Sequence, residues 1–231
     1  MAHQTLLSVK LIDSSRDPEL TCAKAARQCY SPENISDMSM TKEEVTKTLA
    51  RCIKSGHLAV LSEGFAVVSL NITRECLTQL NTHAFIKTVT QSQQYVDHRD
   101  FRYHLPMELM GDLEAVEKFR ECMETIDGYY AWFKERFVDL GREQSNILAR
   151  QVLPNAAEAN TVLSGNFWGW YTWLKMRTCG RNTPMTHTVA WEILEIFRDK
   201  WPAIFNLCGP GCQLHGCIEG KPCGEPLEKL L

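Results

Sequence analysis

The chain has 231 residues, of which 44% are hydrophobic and 23% are charged, and its formal net charge is −3. This length suffices to bury a core without disulfide staples, and the composition excludes disordered and collagen-like proteins. The 25 basic residues are outnumbered by 28 acidic ones, so the charge does not favour binding to a nucleic acid polymer. We find no signal-peptide pattern and no apolar run of the roughly 18 residues that a membrane span requires. The sequence therefore predicts a cytoplasmic protein without a membrane partner.

The first part of the chain predicts a strand followed by two helices. Residues 6–11 alternate apolar and polar side chains, as a half-buried strand does. Asp17 opens a helical pattern. Thr41 is an N-cap candidate with Glu44 as its capping-box partner, and the helix that they begin is predicted to end at Gly56.

The next part predicts a buried strand and a short helix. Residues 64–72 are rich in β-branched and aromatic side chains, which favours a strand covered on at least one face. Thr73 is placed to cap the helix that follows. Residues 87–95 are polar and poor in helix formers, so we predict a loop or an irregular strand there.

The second half of the chain is dominated by helical patterns. Apolar residues recur at steps of three and four between residues 110 and 140, which predicts a long amphipathic helix. Trp168, Trp170 and Trp173 cover every face of a later helix, so we expect it to be buried on several sides, partly by another subunit. With helices in the majority, the sequence predicts an α+β fold. Further helices are predicted at residues 142–148, 157–176 and 186–201.

Several short blocks follow one another in an order that resembles the flavin-dependent thymidylate synthases of the ThyX type. The resemblance covers nearly the whole chain, and the ordered set is far more specific than any one block. The blocks are residues 25–30, 55–57, 73–80, 91–96 and 149–154, followed by the pair Asn166 and Arg177.

The resemblance implies a fold and an activity. Members of that family are α+β subunits with a central antiparallel or mixed sheet and several long helices, and they form homotetramers with active sites at subunit interfaces. They methylate C5 of a pyrimidine deoxynucleotide and convert dUMP to dTMP. Methylenetetrahydrofolate supplies the carbon, reduced FAD delivers a hydride, and NADPH reduces the flavin again.

On the substrate side, the resemblance carries over five polar positions. It makes Arg177 the catalytic residue, because an always-protonated guanidinium suits the anion that forms as C5 attacks the carbon donor. The structural alternative for Arg177 is an interaction with its own helix end. The substrate-binding positions are Gln79, Ser92, Gln94, Arg150 and Arg177.

On the cofactor side, the resemblance carries over four positions, although the family signature is degenerate. Thr82 and Ala84 stand where two flavin-contacting arginines belong, and Gln94 replaces a third arginine that binds the nucleotide phosphate. The nucleotide half of the site is therefore partly kept and the flavin half is eroded. The cofactor-binding positions are His57, His83, Lys87 and Asn166, and no metal ligand is assigned.

Three functions remain open at this point. The first is the ThyX-like reaction on dUMP with rearranged cofactor contacts. The second is a diverged paralogue that modifies another pyrimidine nucleotide or hydroxymethylates it, since the changed signature alters the shape and charge of the pocket. The third is a non-catalytic nucleotide-binding or regulatory subunit of the same fold.

The C-terminal tail is distinct in composition, so we predict a ThyX-like domain at residues 1–207 and a Cys-, Gly- and Pro-rich tail at residues 208–231. Four cysteines and His215 are spaced in a way that one zinc ion could use, but the tail lacks the C-x-x-C pair of most structural zinc sites. An inherited structural element is the favoured interpretation. Free thiols, or a disulfide formed on oxidation, are the alternative.

Overall fold

The computed structural model describes residues 1–224 and 226–230 and has an α+β architecture, as predicted. The helices are α1 Pro18–Gln28, α2 Lys42–Lys54, α3 Arg74–Leu80, α4 Leu113–Arg136, α5 Arg142–Ala149, α6 Phe167–Arg177, α7 Pro184–Lys200, α8 Pro202–Phe205 and α9 Gly211–Leu214. Short 3-10 turns occur at Leu58–Glu63, Met107–Leu109, Val138–Leu140 and Arg150–Val152.

The strands form a two-stranded and a four-stranded sheet. In the smaller sheet β1 pairs in parallel with β5, and in the larger sheet the order is β2-β3-β6-β4. Neighbours in the larger sheet run antiparallel: Ser15 N–H donates to Phe65 O at 3.0 Å and Phe167 N–H donates to Gly64 O at 2.9 Å. The strands are β1 His3–Gln4, β2 Ser8–Ser14, β3 Phe65–Thr73, β4 Lys87–Thr90, β5 Arg102–Tyr103 and β6 Glu158–Asn166.

Locally encoded helix starts are confirmed. Thr41 Oγ1 accepts the Glu44 N–H at 3.2 Å, and the Glu44 carboxylate accepts the Thr41 N–H at 2.8 Å, which completes the predicted capping box. Asp17 caps α1, and Thr73 Oγ1 accepts the Cys76 N–H at 3.0 Å at the start of α3. These contacts are between neighbours in sequence, which is why the sequence alone predicts them.

The predicted helix over residues 157–176 is wrong in its first half. Glu158–Asn166 is a strand whose side chains alternate between buried and more exposed positions, and only Phe167–Arg177 is helical. A central strand obtains its hydrogen bonds from distant parts of the chain, so pairing with β3 and β4 overrides the local helical pattern. Asn166 ends the strand and caps α6, because its Oδ1 accepts the Gly169 N–H at 2.8 Å.

The chain divides into two compact units. Unit 1 comprises residues 1–8, 70–80 and 89–162, and unit 2 comprises residues 9–69, 81–88 and 163–231. Unit 1 has a core of Phe101, Tyr103, Met123 and Ala157. The core of unit 2 is aromatic and fully buried, and it includes Phe167, Trp170, Trp173, Phe197 and Phe205.

Within unit 2, the tail contacts the loop after α6 through Arg181, whose Nε lies 3.8 Å from the Glu219 carboxylate. All ten cysteines are free thiols, with Cys208 buried and Cys223 exposed. The described part of the tail and of the rest of the chain holds no group of three His, Cys, Asp or Glu side chains suited to a metal ion. Within the same residues, no helix has both the length and the apolar character of a membrane span. The division at residue 207 and the homotetramer stay predictions.

Candidate functional site

The predicted site residues fall into the two units according to their predicted roles. Gln79, Ser92, Gln94 and Arg150, all predicted to bind substrate, lie in unit 1. All the predicted cofactor-binding residues lie in unit 2, together with Arg177.

In unit 1, Ser92 organises a tight turn. Its Oγ accepts the N–H groups of Gln94 at 3.1 Å and Tyr95 at 3.4 Å, and its carbonyl accepts the Val96 N–H at 3.1 Å. The hydroxyl thus accepts twice and keeps its own hydrogen for a ligand oxygen. We call residues 92–96 the Ser92 turn.

Two of the predicted substrate-binding amides already have acidic partners. Gln94 Nε2 donates to the Glu143 carboxylate at 3.3 Å, and Gln79 Nε2 donates to the Glu75 carboxylate at 3.2 Å. A side-chain amide carries two N–H groups and a carbonyl oxygen, so these single bonds do not by themselves prevent either glutamine from contacting a ligand. The Glu143 carboxylate places a negative charge beside Gln94, the position at which the family has an arginine that binds the nucleotide phosphate.

Arg150 is half-buried and lies close enough to Arg74 for the two charges to repel each other. Burial and the positive charge of Arg150 together lower the pKa of Arg74. Among the described residues, neither guanidinium group has a hydrogen bond or an ion pair. Two adjacent cations without a carboxylate are a favourable place for a dianionic phosphate.

His98 belongs to the same cluster. Its Nε2 is buried and has no hydrogen-bond partner among the described residues. Burial, and to a smaller extent the charge of Arg74, lower the pKa of His98, so this side chain is neutral near pH 7. A neutral imidazole can still donate a hydrogen bond to an anion held by Arg74 and Arg150.

In unit 2, Arg177 stands at the C-terminal end of α6 and contacts two polar side chains. Its Nη2 donates to Thr82 Oγ1 at 2.7 Å and its Nη1 donates to Asn182 Oδ1 at 3.2 Å. His83 is buried beside it, and its pKa is lowered by burial and by the Arg177 charge. Arg177 is thus held by its neighbours in a fixed orientation, as a residue that stabilises a developing charge must be.

The loop before β4 packs on the first turn of α6. Phe85 stacks on Trp168 with ring centroids 5.8 Å apart and an interplanar angle of 17°, and the two residues are 57% and 38% exposed. Gly169 permits this approach, because a Cβ there would lie 2.9 Å from the Phe85 carbonyl oxygen. Lys87 Nζ donates to Ala84 O at 3.3 Å, so the lysine bends back over its own loop.

His57 is not brought into this cluster by any hydrogen bond of its side chain within the described residues. It is exposed at the start of the 3-10 turn Leu58–Glu63, and its backbone N–H donates to Cys52 O at 2.8 Å. His83 and Lys87, in contrast, lie in or directly after the loop between α3 and β4, and Asn166 and Arg177 stand at the two ends of α6.

Unit 2 also contains a cavity of about 1350 Å³. One wall is the end of α6 and the start of α7, and the other wall is the C-terminal tail. Its lining includes Lys175, Arg177, Trp191, His215 and Cys223. Arg177 therefore faces open space on the side of the tail.

The fold of the chain is shared with a protein of known structure. The crystal structure of a UMP/dUMP methylase PolB from Streptomyces cacaoi bound with 5-Br dUMP superposes with a TM-score of 0.74 over 89% of this chain and 95% of that chain. At 17% sequence identity, this likeness establishes the fold and no more.

The family model described as "Thymidylate synthase complementing protein" matches residues 10–203, and the chain belongs to this family. Flavin-dependent thymidylate synthases from Geobacter sulfurreducens and Clostridium tetani are 30% and 28% identical to it. The alignments cover 96% of this chain in both cases, with 96% of the first relative and 95% of the second. The predicted resemblance to flavin-dependent thymidylate synthases is thereby confirmed.

Sequence reasoning missed two features of these surfaces. Arg74 was part of a recognised block, but its role depends on Arg150, which follows 76 positions later and is brought close only by folding. Phe85 was not among the predicted cofactor-binding positions. A signal existed in each case: an arginine at the first position of a helix, and an aromatic residue within the degenerate signature.

Proposed function

We propose that this protein is a thymidylate synthase-like methyltransferase that converts dUMP to dTMP. In the overall reaction, the methylene carbon of methylenetetrahydrofolate becomes bonded to C5 of the pyrimidine, C5 loses its proton, and a hydride originating from NADPH completes the methyl group. The other products are tetrahydrofolate and NADP⁺. A bound flavin would relay the hydride from NADPH to the transferred carbon.

The observation that carries the proposal is that Arg74 and Arg150 lie close together in unit 1 and that neither guanidinium group is bonded to another described residue. Arg74 and Arg150 would hold the nucleotide phosphate, and the Ser92 hydroxyl would donate to it. Arg74 and Arg150 would supply the positive charge that is lost where Gln94 replaces an arginine of the family. In unit 2, Arg177 would contact the pyrimidine and stabilise the negative charge that develops when C5 attacks.

The side chains in unit 2 fit a flavin, although not through arginines. His83 Nδ1 is buried and, within the described residues, has no hydrogen-bond partner. The stacked pair Phe85 and Trp168 offers exposed aromatic surface to a flat ring, and Lys87 offers one cation to a phosphate. We assign cofactor binding to His57, His83, Lys87 and Asn166. Asn166 would donate to the cofactor through its Nδ2 group, because its Oδ1 caps α6.

The test combines the visible absorption spectrum of the purified protein with a tritium-release assay on [5-³H]dUMP. We expect flavin absorbance after incubation with FAD, and tritium release that requires both NADPH and methylenetetrahydrofolate. A protein that binds dUMP but neither takes up flavin nor releases tritium would instead be the non-catalytic subunit. A protein that binds no pyrimidine nucleotide would contradict the proposal altogether.

A second candidate substrate is a pyrimidine nucleotide other than dUMP. The contact between Gln94 and the Glu143 carboxylate favours it, because this acid changes the charge around the Ser92 turn. A thermal-shift panel of uridine, deoxyuridine and cytosine nucleotides separates the two candidates. Preferential stabilisation by dUMP supports the first, and preferential stabilisation by another nucleotide supports the second.

A further inference from the structure

Unit 1 contains a buried lysine that the proposed chemistry does not use. Lys134, on α4, is 8% exposed, and its Nζ donates to Asn146 Oδ1 at 2.6 Å and to Ser145 Oγ at 2.8 Å. The carboxylate of Asp97 lies 4.0 Å from Nζ, which is beyond hydrogen-bonding distance but close enough for a long ion pair. Burying an ammonium group is costly unless its hydrogens are bonded, so α5 supplies a dedicated set of acceptors.

Asn146 connects this lysine to the Ser92 turn. Asn146 is fully buried, and its Nδ2 donates to the Gln94 carbonyl at 2.7 Å. An ammonium group can only donate and a carbonyl can only accept, so the amide of Asn146 has one orientation that satisfies both. Lys134 therefore determines which side of the Asn146 amide faces the turn.

Hydrogen bonds with α5 and with Ser92 hold the backbone of the Ser92 turn in place. Arg142 Nη2 donates to the Tyr95 carbonyl at 3.0 Å, beside the contact of Asn146 with the Gln94 carbonyl. The N–H groups of the same two turn residues point to Ser92 Oγ. With its backbone groups satisfied in this way, the Ser92 turn has one conformation, and in that conformation the Ser92 hydroxyl is free to donate.

We propose that Lys134 is a positioning residue for the nucleotide site: through Asn146 it fixes the Ser92 turn in the conformation that binds the nucleotide. The link to the nucleotide rests on the proposed function, whereas the effect on the turn does not. Lys134 itself contacts no ligand.

The test uses two variants and a matched control. Lys134→Met removes the ammonium and keeps most of the side-chain volume. Asn146→Asp keeps an acceptor for Lys134 but removes the donor to the Gln94 carbonyl. Lys118→Met is the control, because Lys118 is an exposed lysine of the same helix that pairs with Glu121.

The first readout is amide hydrogen exchange of a peptide that covers residues 92–96, in the protein without ligand. We expect exchange about 10-fold faster in Lys134→Met and in Asn146→Asp, which corresponds to about one lost hydrogen bond, and no change in Lys118→Met. Asn146→Asp keeps the proposal testable if Lys134→Met does not fold. Unchanged exchange at the turn in a folded variant of either kind would overturn the proposal.

The second readout separates positioning from general stability. We expect KM for the nucleotide to rise about 10-fold in both variants, while kcat stays within about 2-fold of wild type. Faster exchange at the turn with an unchanged KM would overturn the link to the nucleotide. If the wild-type protein binds no nucleotide, the proposed function fails, and the exchange experiment still decides whether Lys134 fixes the turn.

Discussion

In unit 1 the guanidinium groups of Arg74 and Arg150 repel each other without a carboxylate partner among the described residues, whereas in unit 2 the guanidinium group of Arg177 is bonded to Thr82 and Asn182. The first arrangement is incomplete without an anion. The second is already bonded to neighbouring side chains, so a ligand there has to compete with existing contacts. Changes in unit 1 should therefore affect affinity for an anion, and changes in unit 2 should affect turnover and packing as well.

The largest effect is expected at Arg177. Arg177→Lys keeps the charge but loses the planar fork, so turnover should fall on the order of 100- to 1,000-fold, as on loss of an anion-stabilising donor. Stability should change by about 1 kcal/mol or less, since the lysine can keep one of the two hydrogen bonds. Single-turnover kinetics and thermal unfolding measure the two effects.

Arg181→Lys is the matched control for this change, because Arg181 is an arginine of the same unit that holds the tail. It should leave turnover within about 2-fold of wild type. Intact activity in Arg177→Lys would mean that Arg177 is only a structural contact at the end of α6.

The next effect is expected at Arg150. Arg150→Gln should weaken nucleotide binding roughly 10- to 150-fold, the range for a lost charge-assisted hydrogen bond. The ligand-free protein should be as stable as wild type or more stable, because the repulsion with Arg74 disappears. Isothermal titration and thermal unfolding without ligand check the two parts.

Arg120→Gln serves as the control, since Arg120 is an exposed arginine of unit 1 that donates to Gln4 at 3.1 Å. Its nucleotide affinity should equal that of wild type. A large loss of ligand-free stability in Arg150→Gln would mean that the arginine has a structural partner instead of a ligand.

A smaller effect is expected at the aromatic pair in unit 2. Trp168→Ala should weaken FAD binding by roughly 2- to 13-fold, since one aromatic stacking contact contributes about 0.5–1.5 kcal/mol. Trp132→Ala, which removes an exposed tryptophan of α4, is the control. Equal affinities of the two variants, measured by quenching of flavin fluorescence, would exclude a flat ring from the Phe85 and Trp168 surface.

The difference between local and long-range contacts explains how much the sequence could predict. The capping box of Thr41 and Glu44 depends on residues three positions apart, so it was predicted in full. The strand Glu158–Asn166 was missed because its partners lie far away in sequence. The ordered blocks predicted the family and, through it, Arg150 and Arg177, but only folding reveals that Arg74 stands beside Arg150 and that Lys134 reaches Asn146.

The smallest effect concerns the pH dependence of stability. Burial lowers the pKa of His83, His98 and His104 in the folded protein, with the charge of a nearby arginine adding to the shift in the first two. Because the folded state then binds fewer protons than the unfolded state, unfolding takes up protons below the ordinary histidine pKa of about 6.5. Stability should thus be level above about pH 6.5 and fall as the pH decreases from there towards the lowered values.

His104 offers the cleanest test of this dependence, because it is 3% exposed and its Nε2 has no hydrogen-bond partner among the described residues. His104→Gln keeps a polar side chain of similar size but cannot titrate. The decrease in free energy of unfolding between about pH 6.5 and pH 5.5, a window above most carboxylate titrations, should be smaller in the variant than in wild type. Urea unfolding at each pH measures it. An equal decrease in both proteins would mean that His104 takes up its proton without unfolding, and that burial does not keep this imidazole neutral.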